Sequence, residues 1–399
     1  MADADDFAEL ELQDSHLLLW FPLPYRVLSL IIAGVWAWGL NLQYLYSLRI
    51  DVAGLIKYNR HSPDVPLHIS VYKVAGALSA LLGVNLLIFW RYTAMDMESV
   101  RKWEMLPGLL LLGIMIILAL PFNVLHKAGR YRFLRNLRRI AFGYIDRDQR
   151  FSDLLLADVM TSYAKVLGDL WICSCMFFTG ISSTSAPERQ CGGAYMLPII
   201  IALPSAIRLR QCLIEYSRMS ARPAAERKPH LYNALKYASA FPVIILSAVQ
   251  KDVDAGTTGL TGEVALYRFW LLSVFVNSFY SFYWDVARDW DLTLFASSRS
   301  NPEYPFGLRQ TMIFPVPGVY YAAIFLDFLL RLTWSLKLSP HLDRYGDLEG
   351  GIFILQFLEI FRRWLWIFFR VETEWIRTEG NRTGGDILLG EYPYKSDSD

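Results

Sequence analysis

Long apolar runs alternate with short charged loops along almost the whole chain. Nine runs stand out, at roughly 17–47, 71–92, 105–126, 153–179, 193–207, 231–250, 265–285, 318–338 and 352–371. Several approach the ~20 residues a helix needs to cross a bilayer. Pro22 and Pro24 predict an interfacial turn early in the first run, and the fifth run continues into a basic amphipathic segment. The pattern predicts an all-α fold, a polytopic transmembrane helical bundle of about nine membrane spans. It divides into an acidic luminal N-terminus (1–16), N-terminal membrane helices with a basic cytosolic loop (17–150), a membrane domain with a polar core (151–375) and a cytosolic tail (376–399), disordered beyond Arg370. No internal repeat, heptad or low-complexity tract interrupts this organisation.

Composition agrees: 54% of the 399 residues are hydrophobic and only 19% charged, against about 25% in soluble domains. Basic residues cluster in short loops rather than on one face and the net charge is +1, so nothing points to nucleic acid. Asp3, Asp5, Asp6, Glu9, Glu11 and Asp14 give the chain an acidic start, the reverse of a cleavable signal. The first membrane helix is therefore expected to direct targeting. Four cysteines are too few for a disulfide scaffold and lack zinc spacing. Free or buried thiols are the expected state. A disulfide from Cys191 to Cys173 or Cys175 stays open if the 180–192 loop is extracytosolic.

Orientation follows from Lys and Arg in the short loops. Lys127, Arg130, Arg132, Arg135, Arg138, Arg139, Arg147 and Arg150 mark 127–150 as cytosolic, and six basic residues do the same for 208–229. The loops 180–192 and 251–264 lack that excess and are assigned to the lumen or exterior. The C-terminus then faces the cytosol, where the Asn381-Arg382-Thr383 sequon would stay unglycosylated.

The candidate chemistry lies in ionisable residues within the later runs. Asp158, Lys165 and Asp169 fall near one face of the fourth; Asn233, Lys236 and Tyr237 share a face of the sixth. Asp285 and Asp289 end the seventh four residues apart; Asp327, Arg331 and Trp334 follow i, i+4, i+7 in the eighth; Glu359, Arg362 and Arg363 lie deep in the ninth. A charge at a helix centre costs about 2.5–3.5 kcal/mol on insertion scales, so these groups should face one another. The expected core sets Arg331, Arg362, Arg363 and Lys236 against Asp158, Asp285, Asp289 and Glu359. Arginine grips a tetrahedral oxyanion with two N–H groups, and lysine adds a point charge. The competing expectation is helix-to-helix salt bridging without substrate, for which Asp327–Arg331 and Glu359–Arg363 have ideal spacing. No P-loop, metal motif or nucleophile elbow is present, so no cofactor, metal or enzymatic activity is expected.

Four motifs occur in one order: Leu203-Pro204-Ser205-Ala206-Ile207-Arg208-Leu209-Arg210-Gln211-Cys212-Leu213; Pro229-His230-Leu231-Tyr232-Asn233-Ala234-Leu235-Lys236-Tyr237; Trp284-Asp285 with Asp289-Trp290; and Glu359-Ile360-Phe361-Arg362-Arg363-Trp364. The chain thereby resembles the EXS-domain family of eukaryotic phosphate exporters over roughly residues 25–375. Long members carry a cytosolic SPX domain and an extra first helix, both missing here. The short architecture is similar to the fungal Golgi branch named for defective retention of ER luminal proteins. The resemblance implies a multi-pass Golgi protein that returns inorganic phosphate from the lumen to the cytosol, supporting glycosylation and retention of luminal proteins. It implies phosphate contacts at Asp158, Lys236, Tyr237, Asp285, Asp289, Arg331, Arg362 and Arg363, with Thr161, Asn233, Trp334 and Glu359 gating or supporting. Thr161 stands where long members have Asn. The alternative is a Golgi membrane scaffold that binds a cytosolic sorting adaptor and recycles glycosyltransferases. The expected partners are phosphate, the lipid bilayer, that adaptor, the glycosyltransferases and a second copy in a homodimer.

Overall fold

The computed structural model describes residues 16–58, 66–94, 96–120, 122–143, 146, 148–182, 187–251, 262–295, 307–338 and 348–390. The acidic residues before His16 and the last nine residues, including Lys395, lie outside these. Among the described residues every regular element is helical, so the chain is an all-α membrane bundle. Five stretches are long and apolar enough to span a bilayer: Leu23–Ser47, Leu67–Thr93, Glu98–Ala119, Met196–Arg218 and Ala224–Gln250.

The first run breaks at Phe21 and Pro22, as its prolines predict, and α1 (Leu23–Ser47) follows. Next come α2 (Leu67–Thr93), the short α3 (Met97–Trp103), α4 (Met105–Ala119) and α5 (Lys127–Phe142). The fourth run divides at Tyr163 into α6 (Arg150–Ser162) and α7 (Ala164–Thr179). The fifth is α8 (Met196–Arg218), which absorbs the first half of the segment expected as a loop. The sixth divides at Ser239 into α9 (Ala224–Ala238) and α10 (Ala240–Lys251). Pro242 explains that break: its ring opposes the Ala238 carbonyl and it has no N–H to donate. The seventh run forms α11 (Glu263–Trp284) and passes into a π turn, Asp285–Asp289, closed by Trp290 N–H donating to the Asp285 carbonyl at 2.9 Å. The eighth gives α12 (Pro317–Arg331) and then a 3-10 turn, Thr333–Leu338.

The last helix, α13 (Glu349–Gly390), organises the bundle and packs against α1, α6 and α12. One of its apolar stretches enters a cluster with Leu28, Ile114, Ile172 and Met176 through Ile360; a later one enters a cluster with Leu45, Val286, Trp290 and Tyr320 through Trp366 and Phe369. Arg362 and Arg363 lie between these contacts, and Glu359 directly precedes the first of them. The helix does not end at 371, so the expected disorder after Arg370 is corrected as far as Gly390. The cause is a buried anchor. Glu372 pairs with Arg309 and accepts from the Tyr320 hydroxyl and, at 2.7 Å, from Ile313 N–H.

A disulfide joins Cys175 of α7 to Cys191 in the loop that follows, and Trp171 Nε1 donates to the Cys191 carbonyl at 3.1 Å. The expectation of free thiols therefore holds only for Cys173 and Cys212. The pinned loop carries Arg189, which bridges Asp169 of α7 at 3.2 Å and Glu349 of α13 at 2.6 Å. Arg26 of α1 reaches Glu349 at 2.9 Å, and Gln356 donates to Asp169 at 2.6 Å.

Candidate functional site

The site forms where the helices lose regularity. Asp285 and Asp289 stand on the π turn, which keeps residues four apart on one side. Lys236 lies at the end of α9, one turn before the Ser239 break. Its ammonium contacts Asp285 Oδ1 at 2.9 Å and Asp289 Oδ2 at 3.2 Å. Arg331, at the end of α12, pairs with the other Asp285 oxygen and holds Asp327 at 3.2 Å. Arg362 lies 3.4 Å from Asp285, 3.1 Å from Asp327 and 2.6 Å from Glu359. Asp285 is wholly buried and is the hub, drawing three cations from three helices. Such a charge survives in apolar surroundings because each of its oxygens is matched.

Asp158 sits in a second group beside this one. Arg208 Nε donates to Asp158 Oδ1 at 2.7 Å and Nη2 to the Tyr237 hydroxyl at 3.1 Å, while Tyr237 donates to the same Asp158 oxygen. The Lys236 ammonium lies 5.5 Å from the Tyr237 ring centre, linking the two groups. Asp169 does not join them, since the break at Tyr163 redirects α7 toward the disulfide end, and Lys165 is exposed.

Arg363 differs from every cation above. It is 6% exposed, yet among the described residues no carboxylate lies within 4.0 Å of it. Its guanidinium donates through Nε to Ser162 Oγ at 2.9 Å and through Nη2 to Thr161 Oγ1 at 3.2 Å, and stacks 4.6 Å from the Trp366 ring. Nη1 is buried and has no partner among the described residues. Ser162 in turn donates to Glu359 at 2.7 Å.

The expected pairing of Glu359 with Arg363 is not formed; Glu359 holds Arg362 instead, three residues on. Consecutive positions point about 100° apart on a helix, so the two arginines face different partners. The face shared by Arg331 and Trp334 is also lost, because α12 ends at Arg331 and Trp334 lies in the 3-10 turn. Its indole N–H is buried without a partner, as is Asn233 Oδ1 one turn before Lys236. The remaining predicted residues converge. Two participants were not singled out: Ser162, and Arg208, whose count among loop charges hid a residue 3% exposed inside α8.

A family model described as the EXS family matches residues 21–376. Protein ERD1 homolog 1 of Schizosaccharomyces pombe is 32% identical over 365 residues, covering 90% of this chain and 92% of that protein. Protein ERD1 of Kluyveromyces lactis is 34% identical over 243 residues, 57% of this chain and 60% of the relative. Phosphate transporter PHO1 homolog 4 of Arabidopsis thaliana is 25% identical over 392 residues, 97% of this chain but 49% of that longer protein.

Proposed function

This chain belongs to the EXS family, and from that premise we propose that it carries inorganic phosphate from the Golgi lumen to the cytosol. The observation that carries the reading is Arg363: a buried guanidinium held by hydroxyls, with no carboxylate within 4.0 Å and no partner for one nitrogen among the described residues. A buried cation in that condition attracts an anion. A tetrahedral oxyanion supplies both the charge and several acceptor oxygens.

Phosphate bound at Arg363 stands next to Ser162 and Thr161, which donate or accept as its protonation requires. The cations of the Asp285 hub are already occupied by carboxylates. Phosphate competes with those carboxylates for Lys236, Arg331 and Arg362, and their return displaces it. Binding thus stays weak enough for release. Because α13 carries Arg362, Arg363 and Glu359 together, a small rotation of that helix would exchange which guanidinium faces the ion. The resemblance to the fungal branch named for defective retention of ER luminal proteins implies the same setting, since nucleotide-sugar glycosylation would release phosphate into the lumen.

The test is radiolabelled phosphate flux in proteoliposomes carrying the wild-type chain or Arg363→Ala. Loss of flux in a folded variant supports a transporter. Equal background flux from both proteins, each folded, would move the assignment to a scaffold that binds a sorting adaptor.

A further inference from the structure

Helix α5 (Lys127–Phe142) divides its basic residues into two sets. One set is consumed by the fold. Arg130 is buried and donates to the carbonyls at the end of α4, among them Leu120 at 3.0 Å. Arg132 donates to the Lys57 carbonyl at 3.1 Å and also reaches that of Ile56. Arg139 grips Asp153 of α6, with Nε at 2.6 Å, beside Asn136 donating to Ser152 at 3.1 Å.

The other set is Lys127, Arg135 and Arg138, all exposed. With exposed Tyr131 and Phe142 they follow i, i+4, i+8, i+11 and i+15. At 100° per residue these five positions fall within a sector of about 80°. Among the described residues none of the three cations has a carboxylate within 4.0 Å; the nearest recorded contact of Lys127 is the Tyr131 ring, 6.0 Å away. The fold therefore turns one face of α5 inward and leaves a basic stripe bracketed by aromatics outward. A solvated stripe has no need of Phe142, which is 85% exposed at its end.

The surface continues beyond α5. Arg210 of α8 caps its C-terminus, donating to the Ala141 carbonyl at 2.5 Å and the Gly143 carbonyl at 2.6 Å. The same Arg210, with Leu213, Ile214, Ser217 and Arg218, forms an open, mainly apolar face along α8. Cations beside an apolar helix face match a molecule with an anionic head and a hydrocarbon tail.

We propose that the outward stripe of α5 is a binding surface for anionic glycerophospholipid headgroups, with the adjoining apolar face of α8 lying against an acyl chain. Charge complementarity commits the surface to that occupant: three cations face outward at the end of a membrane helix, in a loop whose Lys/Arg excess assigns it to the cytosolic, anionic leaflet. Aromatic rings at the headgroup level anchor the helix in the interface. The inference does not depend on the transported substrate.

The test uses the full chain reconstituted in phosphatidylcholine vesicles with a trace of spin-labelled phosphatidylserine or spin-labelled phosphatidylcholine. Motionally restricted lipid, read by electron paramagnetic resonance, gives the relative association of the two. The wild type is expected to prefer phosphatidylserine at low salt and to lose much of that preference at high salt. Lys127→Gln/Arg135→Gln/Arg138→Gln should lower the preference about threefold or more. Arg101→Gln/Lys102→Gln removes two exposed cations from the opposite loop and should leave it unchanged. The proposal is overturned if the wild type shows no salt-sensitive preference, or if the triple variant, folded by circular dichroism, keeps the wild-type value. An equal loss in the Arg101/Lys102 variant would overturn it too, since the effect would then be net charge.

Discussion

Helix α13 carries two buried ion clusters, and they are built differently. At its start, Arg26 and Arg189 meet Glu349 and Asp169, cation matched to carboxylate, with Gln356 on the remaining Asp169 oxygen. A disulfide pins the loop that supplies Arg189. Further along, the hub at Asp285 is matched in the same way, but Arg363 beside it has only hydroxyls. Ionised groups in a membrane bundle are therefore not by themselves evidence of transport. Arg26 too has buried nitrogens without a partner, Nε and Nη2, so an unpartnered nitrogen does not separate the clusters; what does is that each brace cation has a carboxylate and Arg363, among the described residues, has none within 4.0 Å. The settings differ as well. The brace hangs on a disulfide-pinned loop through Arg189, whereas the hub gathers the ends of α9, α11 and α12 around Arg362 in the middle of α13.

The sharpest way to break this comparison is to remove one charged residue from each cluster and read flux and stability separately. Arg363→Ala should reduce phosphate flux about a hundredfold while shifting the detergent-solubilised melting midpoint little, because no carboxylate is stranded. Glu349→Ala should do the opposite. It leaves Arg26 and half of Arg189 unmatched in a buried setting, which costs about 3–5 kcal/mol of stability. Flux per folded molecule should stay near the wild-type value. If Arg363→Ala unfolds the protein as Glu349→Ala does, the two clusters are the same kind of object and the transport reading loses its main support.

The disulfide tests the brace more gently. Cys175→Ser opens a loop closed over a sequence separation of 16, and chain entropy for a loop of that length gives about 3 kcal/mol. The melting midpoint should fall, and reducing the wild type should reproduce the fall. Flux by the variant below its melting midpoint should be unchanged, which separates the pinned loop from the path.

Much of the bundle was legible because the bilayer leaves few choices: apolar length and loop charge located the runs and the intramembrane charges. The breaks inside the runs were harder. Pro242 marks the α9–α10 break, but Tyr163 and the π turn at Asp285 carry no glycine or proline, and only packing between helices reveals them. Arg208 was misplaced because charge counting treats every arginine near a span end as a loop residue; α8 continues to Arg218, and Asp158 and Tyr237 satisfy Arg208 within it. The extension of α13 was missed for the converse reason. Residues 372–378 look like a polar tail until Glu372 is found under Arg309 and Tyr320. Arginine pairing was the least legible feature, since spacing alone allows Glu359 to take either Arg362 or Arg363.

That choice of partner gives the smallest and most discriminating prediction. Thr161 accepts from Arg363 at 3.2 Å while its own hydroxyl donates to the Asp158 carbonyl at 2.7 Å. Thr161→Ala removes one neutral acceptor, worth about 1 kcal/mol net, and leaves the guanidinium freer to bind an anion. Phosphate affinity should then rise severalfold, while Arg362 and the hub stay as they are. Thr161→Asn restores an acceptor and adds donors, so it should shift affinity the other way from Thr161→Ala. Half-saturation of flux across the three proteins measures this. Identical values would mean that Thr161 only holds Arg363 in place, and that phosphate meets the guanidinium from the side of its unpartnered Nη1.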